Sequence, residues 1–442
     1  MEIEEKVARK ISPTDTQREQ VGRVTEFLIK KVRNQVASYE LDLKVRLVGS
    51  VAKDTYIFRP DIDIFVMFPT SVSRKDLERI GLGIAKKVLR GEERYAEHPY
   101  MHGIYRGYEV DIVPCYSIQD PNSLKSAVDR TPFHTDYVNK NLKASQKDQV
   151  RLLKQFMKGI GTYGAEAKVQ GFSGYLVELL ILKYGDFGST ILAAARWRKG
   201  VTLSIENGGS DKFTTPLVFY DPVDQTRNVS SALSIDSFSR FVFACQEYLR
   251  EPRESFFFPK GQKTWTKHEI RNELVRRGTR LLALRLDLPD ITNDDLYPQL
   301  RKTLAGVCAL LEDNDFKVLD SNYHVGKNKV TLLFELQSDR LPALKKHYGP
   351  PIWMEHSARF LEKWNGQAMG PPFIENGRWV ANIVRPYENA TALLKAEVAN
   401  SALGSDIKSL EGLDILEHDQ ILSKNLKGEV CSLLDKTFPW KR

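Results

Sequence analysis

Residues Ile62 to Phe68, IDIFVMF, form a run that is apolar on both faces apart from one aspartate, and a second aspartate, Asp61, stands immediately before it. A strand apolar on both sides needs cover on both sides, so the run predicts a central strand rather than an edge. Side chains alternate along a strand, which places Asp61 and Asp63 on one face about 7 Å apart and sends Ile62 into the core. Two carboxylates that close repel unless a cation lies between them. The chain holds 57 acidic residues, so Asp-x-Asp also arises by chance and needs support from elsewhere in the sequence.

That support comes from both directions. Upstream, KVRLVGS reads as a short strand ending in Gly49-Ser50, with Ser50 eleven residues before Asp61. A glycine-serine turn after a strand offers backbone N–H groups and a hydroxyl to an anion. Downstream, YEVDIVP (108 to 114) reads as another strand, stopped by Pro114, with Asp111 a lone charge between Val110 and Ile112. If the two strands are neighbours, three carboxylates converge on one point. Ligands that are oxygen only suit Mg²⁺, which keeps waters and takes substrate phosphates. In a two-metal arrangement one ion activates an attacking hydroxyl and the other supports the leaving oxygen.

Elsewhere the 442 residues suggest two to four domains. Thr14 and Gln17 predict a capping box for a helix over 14 to 38. Helix, strand, turn, strand, strand predicts an α/β or α+β head ending near residue 145. Ser145 and Asp148 predict the cap of a helix whose Arg151, Lys154 and Lys158 form a basic stripe. Helical signals continue to about 200, with a further helix from Asp236 to Arg250, giving a mainly helical neck over 146 to 260. FFFPKGQK (256 to 263) marks a boundary. Beyond it, Thr266 and Glu269 cap a helix ended by Gly278, and a βαββ order follows through 280 to 337. That order predicts a ferredoxin-like unit, on the plan of RNA-recognition domains but without their aromatic strand signature. It lies in a C-terminal body and tail over 261 to 442.

Net charge is +8, with a pI near 9.0, which favours a polyanionic partner. No apolar run reaches about 18 residues, which argues against a membrane span. The charged opening MEIEEKVARK has no apolar core for a secretory signal. Cys115, Cys245, Cys308 and Cys431 stand singly, without zinc-type spacing. A cytoplasmic protein is expected.

GSVAKDTYIFRPDIDIFVMF with EVDIVPCY resembles the core of the polymerase-β-like nucleotidyltransferases. RYAEHPYMHG (94 to 103), KSAVDRTPFH (125 to 134), VRLLKQFMKGIGTYGAEAKVQGFSGYLVELLI (150 to 181), DPVDQTRNV (221 to 229), DLYPQL (295 to 300) and PPFIENGRW (371 to 379) are narrower. They resemble the archaeal, class I CCA-adding enzymes, over most of the chain. The resemblance implies addition of C, C and A to the tRNA 3′ end from CTP and ATP, without a nucleic-acid template, by a homodimer. It implies that Asp61 and Asp63 bind metal and that Asp111 helps activate the RNA hydroxyl. Ser50 and Lys53 match triphosphate contacts, Lys53 standing where relatives often carry arginine with its bidentate fork. His134, Lys154 and Tyr163 match further ATP and CTP contacts, and Arg227 matches the reader of the incoming base. The rival readings are another template-independent transferase, such as a poly(A)-adding enzyme, and a non-catalytic RNA-binding protein on a transferase scaffold.

Overall fold

Thr14 caps the first long helix as its spacing predicts: its hydroxyl accepts from the Gln17 N–H while the Gln17 side chain accepts from the Thr14 N–H. The computed structural model describes residues 2–95, 97–206, 209 and 212–442, so Ala96 of the RYAEHPYMHG segment lies outside the described residues. The chain divides into two units, Met1–Gly261 with Thr437–Arg442, and Gln262–Lys436. Residues 437–442, read from sequence as the end of the C-terminal body, thus belong to the first unit.

The first unit opens with α1 (Glu2–Ile11), α2 (Asp15–Val36), β1 (Lys44–Val48), α3 (Gly49–Lys53), β2 (Ile62–Phe68), α4 (Arg74–Val88), β3 (Gly91–Tyr95), β4 (Pro99–Tyr105) and β5 (Tyr108–Tyr116). The strands form one sheet in the order β1-β2-β5-β4-β3, parallel only between β2 and β5. β2 is internal, as its apolar faces require. Ile62, Ile64, Val66 and Phe68 pack with Val24, Leu28 and Val32 of α2 and Leu77 and Ile84 of α4, while Phe65 and Met67 pack with Val48 and Cys115. Each fully buried side chain of this kind stabilises by about 1.5–3 kcal/mol.

Pro114 does not stop β5, which pairs with β2 as far as Tyr116. The β4 ladder ends at Ile112, so β5 has one open edge where proline is tolerated.

A helical layer follows: α5 (Arg130–Asn141), α6 (Ala144–Ile160), α7 (Gly174–Tyr184), α8 (Phe187–Ala194), the parallel pair β6 (Val201–Leu203) and β7 (Leu217–Phe219), and α9 (Ile235–Arg250). α6 starts two residues earlier than the Ser145 capping pattern predicts. Lys143 takes the cap position, and its backbone N–H donates to Gln146 Oε1. At the centre, the Phe156 ring lies 5.5–6.3 Å from those of Phe187, Phe241, Tyr248, Phe256 and Phe257. The FFFP run is therefore an anchor of this core at Phe256 and Phe257, and Trp440 stacks on Phe256 at 5.5 Å.

The second unit contains α10 (Lys267–Arg277), β8 (Arg280–Asp287), α11 (Asn293–Asp313), β9 (Val318–Val325), β10 (Lys329–Leu336), β11 (Leu344–Pro351), α12 (Ser357–Trp364), β12 (Phe373–Glu375), β13 (Arg378–Val384), α13 (Ala390–Glu397), β14 (Asp414–Glu417), α14 (His418–Ser423) and α15 (Lys427–Leu434). Its four-stranded sheet, β14-β8-β10-β9, is antiparallel throughout. The predicted βαββ is completed by α13 and β14 into a full ferredoxin-like sandwich. A second sheet, β11-β13-β12, with α12 packed on it, is inserted between β10 and α13. The fold class is α+β and multi-domain.

Candidate active site

The parallel register of β2 and β5 sets Asp63 directly beside Asp111, between core-facing Ile62 and Ile64 on one strand and Val110 and Ile112 on the other. Burial pushes the Asp63 carboxyl up to about 7, and the charges of Asp111 and Asp61 add to the effect. Asp61 stands exposed just before β2, its carboxyl raised by partial burial and by Glu109 and Asp111. Burial also raises Asp111, against the opposing pull of His102, whose Nδ1–H donates to Asp111 Oδ1 at 2.7 Å. The three carboxylates therefore share one end of the sheet. They are not drawn to a single point: among the described residues no group of three or more His, Cys, Asp or Glu is gathered tightly enough to hold an ion by itself.

Gly49 makes the approach of α3 to this end possible. Its φ is +72°, and a Cβ there would lie 2.0 Å from Asp63 Oδ2. Only glycine combines that conformation with that clearance. Ser50 follows, and with Asp61, Lys154, Lys158 and Tyr163 it lines a cavity of about 120 Å³. Lys158 is exposed and lies 5.2 Å over the Tyr163 ring, and burial raises the Tyr163 hydroxyl.

The predicted basic stripe on α6 is not a solvent face. Arg151 is 1% exposed and donates to the backbone carbonyls of Tyr56 and Asp54 and to the side chains of Asp54 and Asp148. Lys154 is likewise buried and donates to Thr55 O at 3.1 Å. The two side chains tie the Asp54–Tyr56 segment, which leads to Asp61, onto α6.

Glu178 of α7 is the partner the sequence reading missed. Fully buried, it accepts from Lys53 Nζ at 2.6 Å, Thr55 Oγ1 at 2.6 Å and Lys154 Nζ at 3.5 Å. Burial would raise the Glu178 carboxyl, and the two lysines hold it below its usual range. Burial brings the Lys154 ammonium down to about 8 despite Glu178. Two lysines on one carboxylate leave the cluster with surplus positive charge.

His134 and Arg227 do not line the cavity with Ser50; they meet each other at Asp221. His134 Nε2 and Arg227 Nη1 each lie 2.9 Å from Asp221 Oδ2, and Tyr175 OH lies 3.0 Å from Oδ1. The His134 and Tyr175 rings stack at 3.9 Å. Burial would raise the Asp221 carboxyl, yet the His134 hydrogen bond and charge, with Val223 N–H and Arg227, hold it at about 2. Tyr175 and Glu178 stand three residues apart on α7, so one face of that helix serves both clusters. Helical spacing is the one signal in the sequence that could have linked them, because Asp221 and Glu178 acquire partners only through the fold.

A strand-borne carboxylate pair beside the Gly49-Ser50 start of α3, backed by a helical layer with buried lysines, fits a nucleotidyltransferase. Residues 29–134 match the family described as "Nucleotidyltransferase domain", 148–258 "tRNA nucleotidyltransferase, second domain", and 277–418 "CCA-adding enzyme, C-terminal domain". The CCA-adding enzyme of Methanosarcina barkeri is 41% identical over 94% of this chain and 94% of its own. That of Methanosarcina mazei is 39% identical over 98% of this chain and 95% of its own, and that of Haloarcula marismortui 39% over 91% of each. The chain belongs to the CCA-adding enzymes, a family of tRNA nucleotidyltransferases.

Proposed function

We propose that this chain adds C, C and A in turn to the 3′ end of tRNA from CTP and ATP, releasing pyrophosphate, with Asp61, Asp63 and Asp111 holding Mg²⁺. The observation that carries the reading is the in-register pair Asp63 and Asp111, two carboxylates set side by side whose mutual repulsion helps to raise the Asp63 carboxyl. An all-oxygen donor set of this kind fits Mg²⁺, which binds through one or two carboxylates and completes its shell with water and substrate phosphates. When bound, the metal supplies charge neutralisation and lowers the pKa of an attacking hydroxyl.

The chain's own groups do the rest. Ser50, Lys158 and Tyr163 bound the cavity that takes the triphosphate, and Lys53 and Lys154 act on it through the surplus charge they share around Glu178. His134 and Arg227 take the nucleoside end. Hydrogen bonds to a base edge reject the wrong base because they leave its buried partners unpaired. The second unit grips the acceptor stem through phosphates and 2′-hydroxyls, in keeping with the basic balance of the chain. A cytoplasmic homodimer is part of the same proposal and rests on the family resemblance.

The test is incubation of labelled tRNA lacking its terminal C, C and A with each nucleotide singly and with CTP and ATP together. Addition of two C from CTP and one A only afterwards supports the reading; a run of A from ATP alone replaces it with a poly(A)-type transferase. In the same assay Arg227→Ala is expected to narrow the preference for C and A over U and G while tRNA affinity changes little. An arginine offers several fixed donors to a base edge. A variant that keeps its nucleotide choice and loses tRNA binding instead would make Arg227 a phosphate contact.

The carboxyl of Asp63 also sets a pH dependence. Near pH 6 it is mostly protonated in the metal-free protein, so a cation must displace the proton; above pH 7 it is ionised and repelled by its neighbours. Mg²⁺ without nucleotide should therefore raise the melting temperature more at pH 8 than at pH 6. Asp63→Asn should flatten that difference, and an equal Mg²⁺ effect at both pH values in the unsubstituted protein would remove Asp63 from the metal site.

A further inference from the structure

The loop carrying Arg227 is closed by a set of contacts that converge on one buried group. Tyr220 and Asn228 form a bridge, Asp221 N–H donates to Arg227 O at 3.1 Å, and Arg227 N–H donates to Asp224 O at 2.9 Å. Asp224 in turn accepts from Arg130 Nε of α5 at 2.9 Å. The Asp221 side chain, 0% exposed, then takes four donors on two oxygens. Oδ2 accepts from His134 and Arg227, and Oδ1 accepts from the Tyr175 hydroxyl and from Val223 N–H at 3.0 Å. A carboxylate with both oxygens doubly engaged has no freedom left, and its four donors come from three parts of the first unit: α5, α7 and the loop itself, which supplies two.

We infer that Asp221 is a positioning residue for nucleotide choice. It takes Arg227 Nη1 in a charge-assisted bond and so fixes the plane of the guanidinium, leaving the outer edge of the fork for a base. Because a carboxylate only accepts, the same bond obliges His134 to carry its hydrogen on Nε2, which turns Nδ1 into the ring's remaining polar atom. Tyr175, stacked on His134 and bonded to the other oxygen, locks the arrangement from α7. The inference rests on the proposed function: it names the group that holds Arg227 in place to discriminate, and Asp221 itself touches neither base nor phosphate.

Asp221→Asn keeps the volume but sets an N–H against the two donors that share one of its atoms, so the fork loses its single orientation. Using the full chain and tRNA lacking C, C and A, the ratio of kcat/KM for CTP over UTP is expected to fall by about tenfold or more. The KM for tRNA should stay put, and Tyr175→Phe should give a smaller fall of the same kind. The deciding measurement is Asp221→Asn combined with Arg227→Ala. If Asp221 acts through Arg227, the double variant discriminates no worse than Arg227→Ala alone. Equal losses of kcat for all four nucleotides, or additive losses in the double variant, would overturn the inference and leave Asp221 a structural group. Failure of the unsubstituted protein to add C and A to tRNA would instead count against the proposed function, so the two failures are separable.

Discussion

Asp63→Ala is expected to lower nucleotide addition on the order of a thousandfold or more, and at the same time to raise the melting temperature of the metal-free protein at pH 8. The first effect follows because metal-held charge supplies several kcal/mol at the transition state, and each 1.36 kcal/mol is about tenfold in rate. The second follows from the sheet. Asp63 sits beside Asp111 in register, with its carboxyl pushed from 3.8 up to about 7. A carboxylate raised in the folded state adds stability at pH values below its ordinary range and loses it as pH rises through 7. At pH 8 the half-buried, ionised Asp63 therefore costs at most roughly 4 kcal/mol, which its removal relieves in part. Asp111→Ala should abolish activity similarly, and it also frees His102. Activity by single-turnover extension and stability by thermal melting are measured on the same preparation. Near-normal turnover at saturating Mg²⁺ would sink the assignment, and a lowered melting temperature without metal would sink the charge argument.

The second large effect is on stability. Glu178→Ala should destabilise the protein by about 3–5 kcal/mol, because it strands two largely buried lysines without their carboxylate. Lys53 and Lys154 are 7% and 3% exposed, and Thr55 loses its acceptor with them. Glu178→Gln, which keeps one acceptor oxygen, should cost less. Urea unfolding of the three proteins at pH 7 checks this; a loss under about 1 kcal/mol for the alanine variant would mean that water or another group reaches the lysines. The comparison at pH 9 is informative too. Lys154 in the folded protein is already held down to about 8, so the stability lost to burying its charge is recovered as pH rises from 8 toward its ordinary value of 10.5.

Local rules read from the chain served well where a single element decides the outcome. The Thr14 and Thr266 caps, the left-handed Gly278 that ends α10, the two-faced β2 and the βαββ order all follow from neighbours within a few residues. They misled where the answer depended on what packs nearby. Pro114 sits inside β5 because an adjacent ladder has already ended, and Ser145 lost the cap to Lys143 because Gln146 reaches its backbone. The stripe Arg151, Lys154 and Lys158 has the spacing of a solvated helix face, yet two of its members are buried because the Asp54–Tyr56 segment offers them carbonyl acceptors.

By itself the sequence placed Asp63 and Asp111 on their strands and the Gly49-Ser50 break after β1, since these are chemical identities at short spacing along strands whose hydrophobic pattern is unambiguous. Tertiary structure alone decided which of the other polar groups belong together. Nothing within several residues of Glu178 announces Lys53, Thr55 and Lys154, which stand 125, 123 and 24 positions away. The same holds for Asp221 with His134, 87 positions off, and for Trp440, which closes the first unit against Phe256. A buried charge is tolerable only when oppositely charged or hydrogen-bonding groups surround it, and those groups can come from anywhere in the chain. Burial is a property of the whole packed unit, so the partners of a buried charge become visible only once the chain has folded around it.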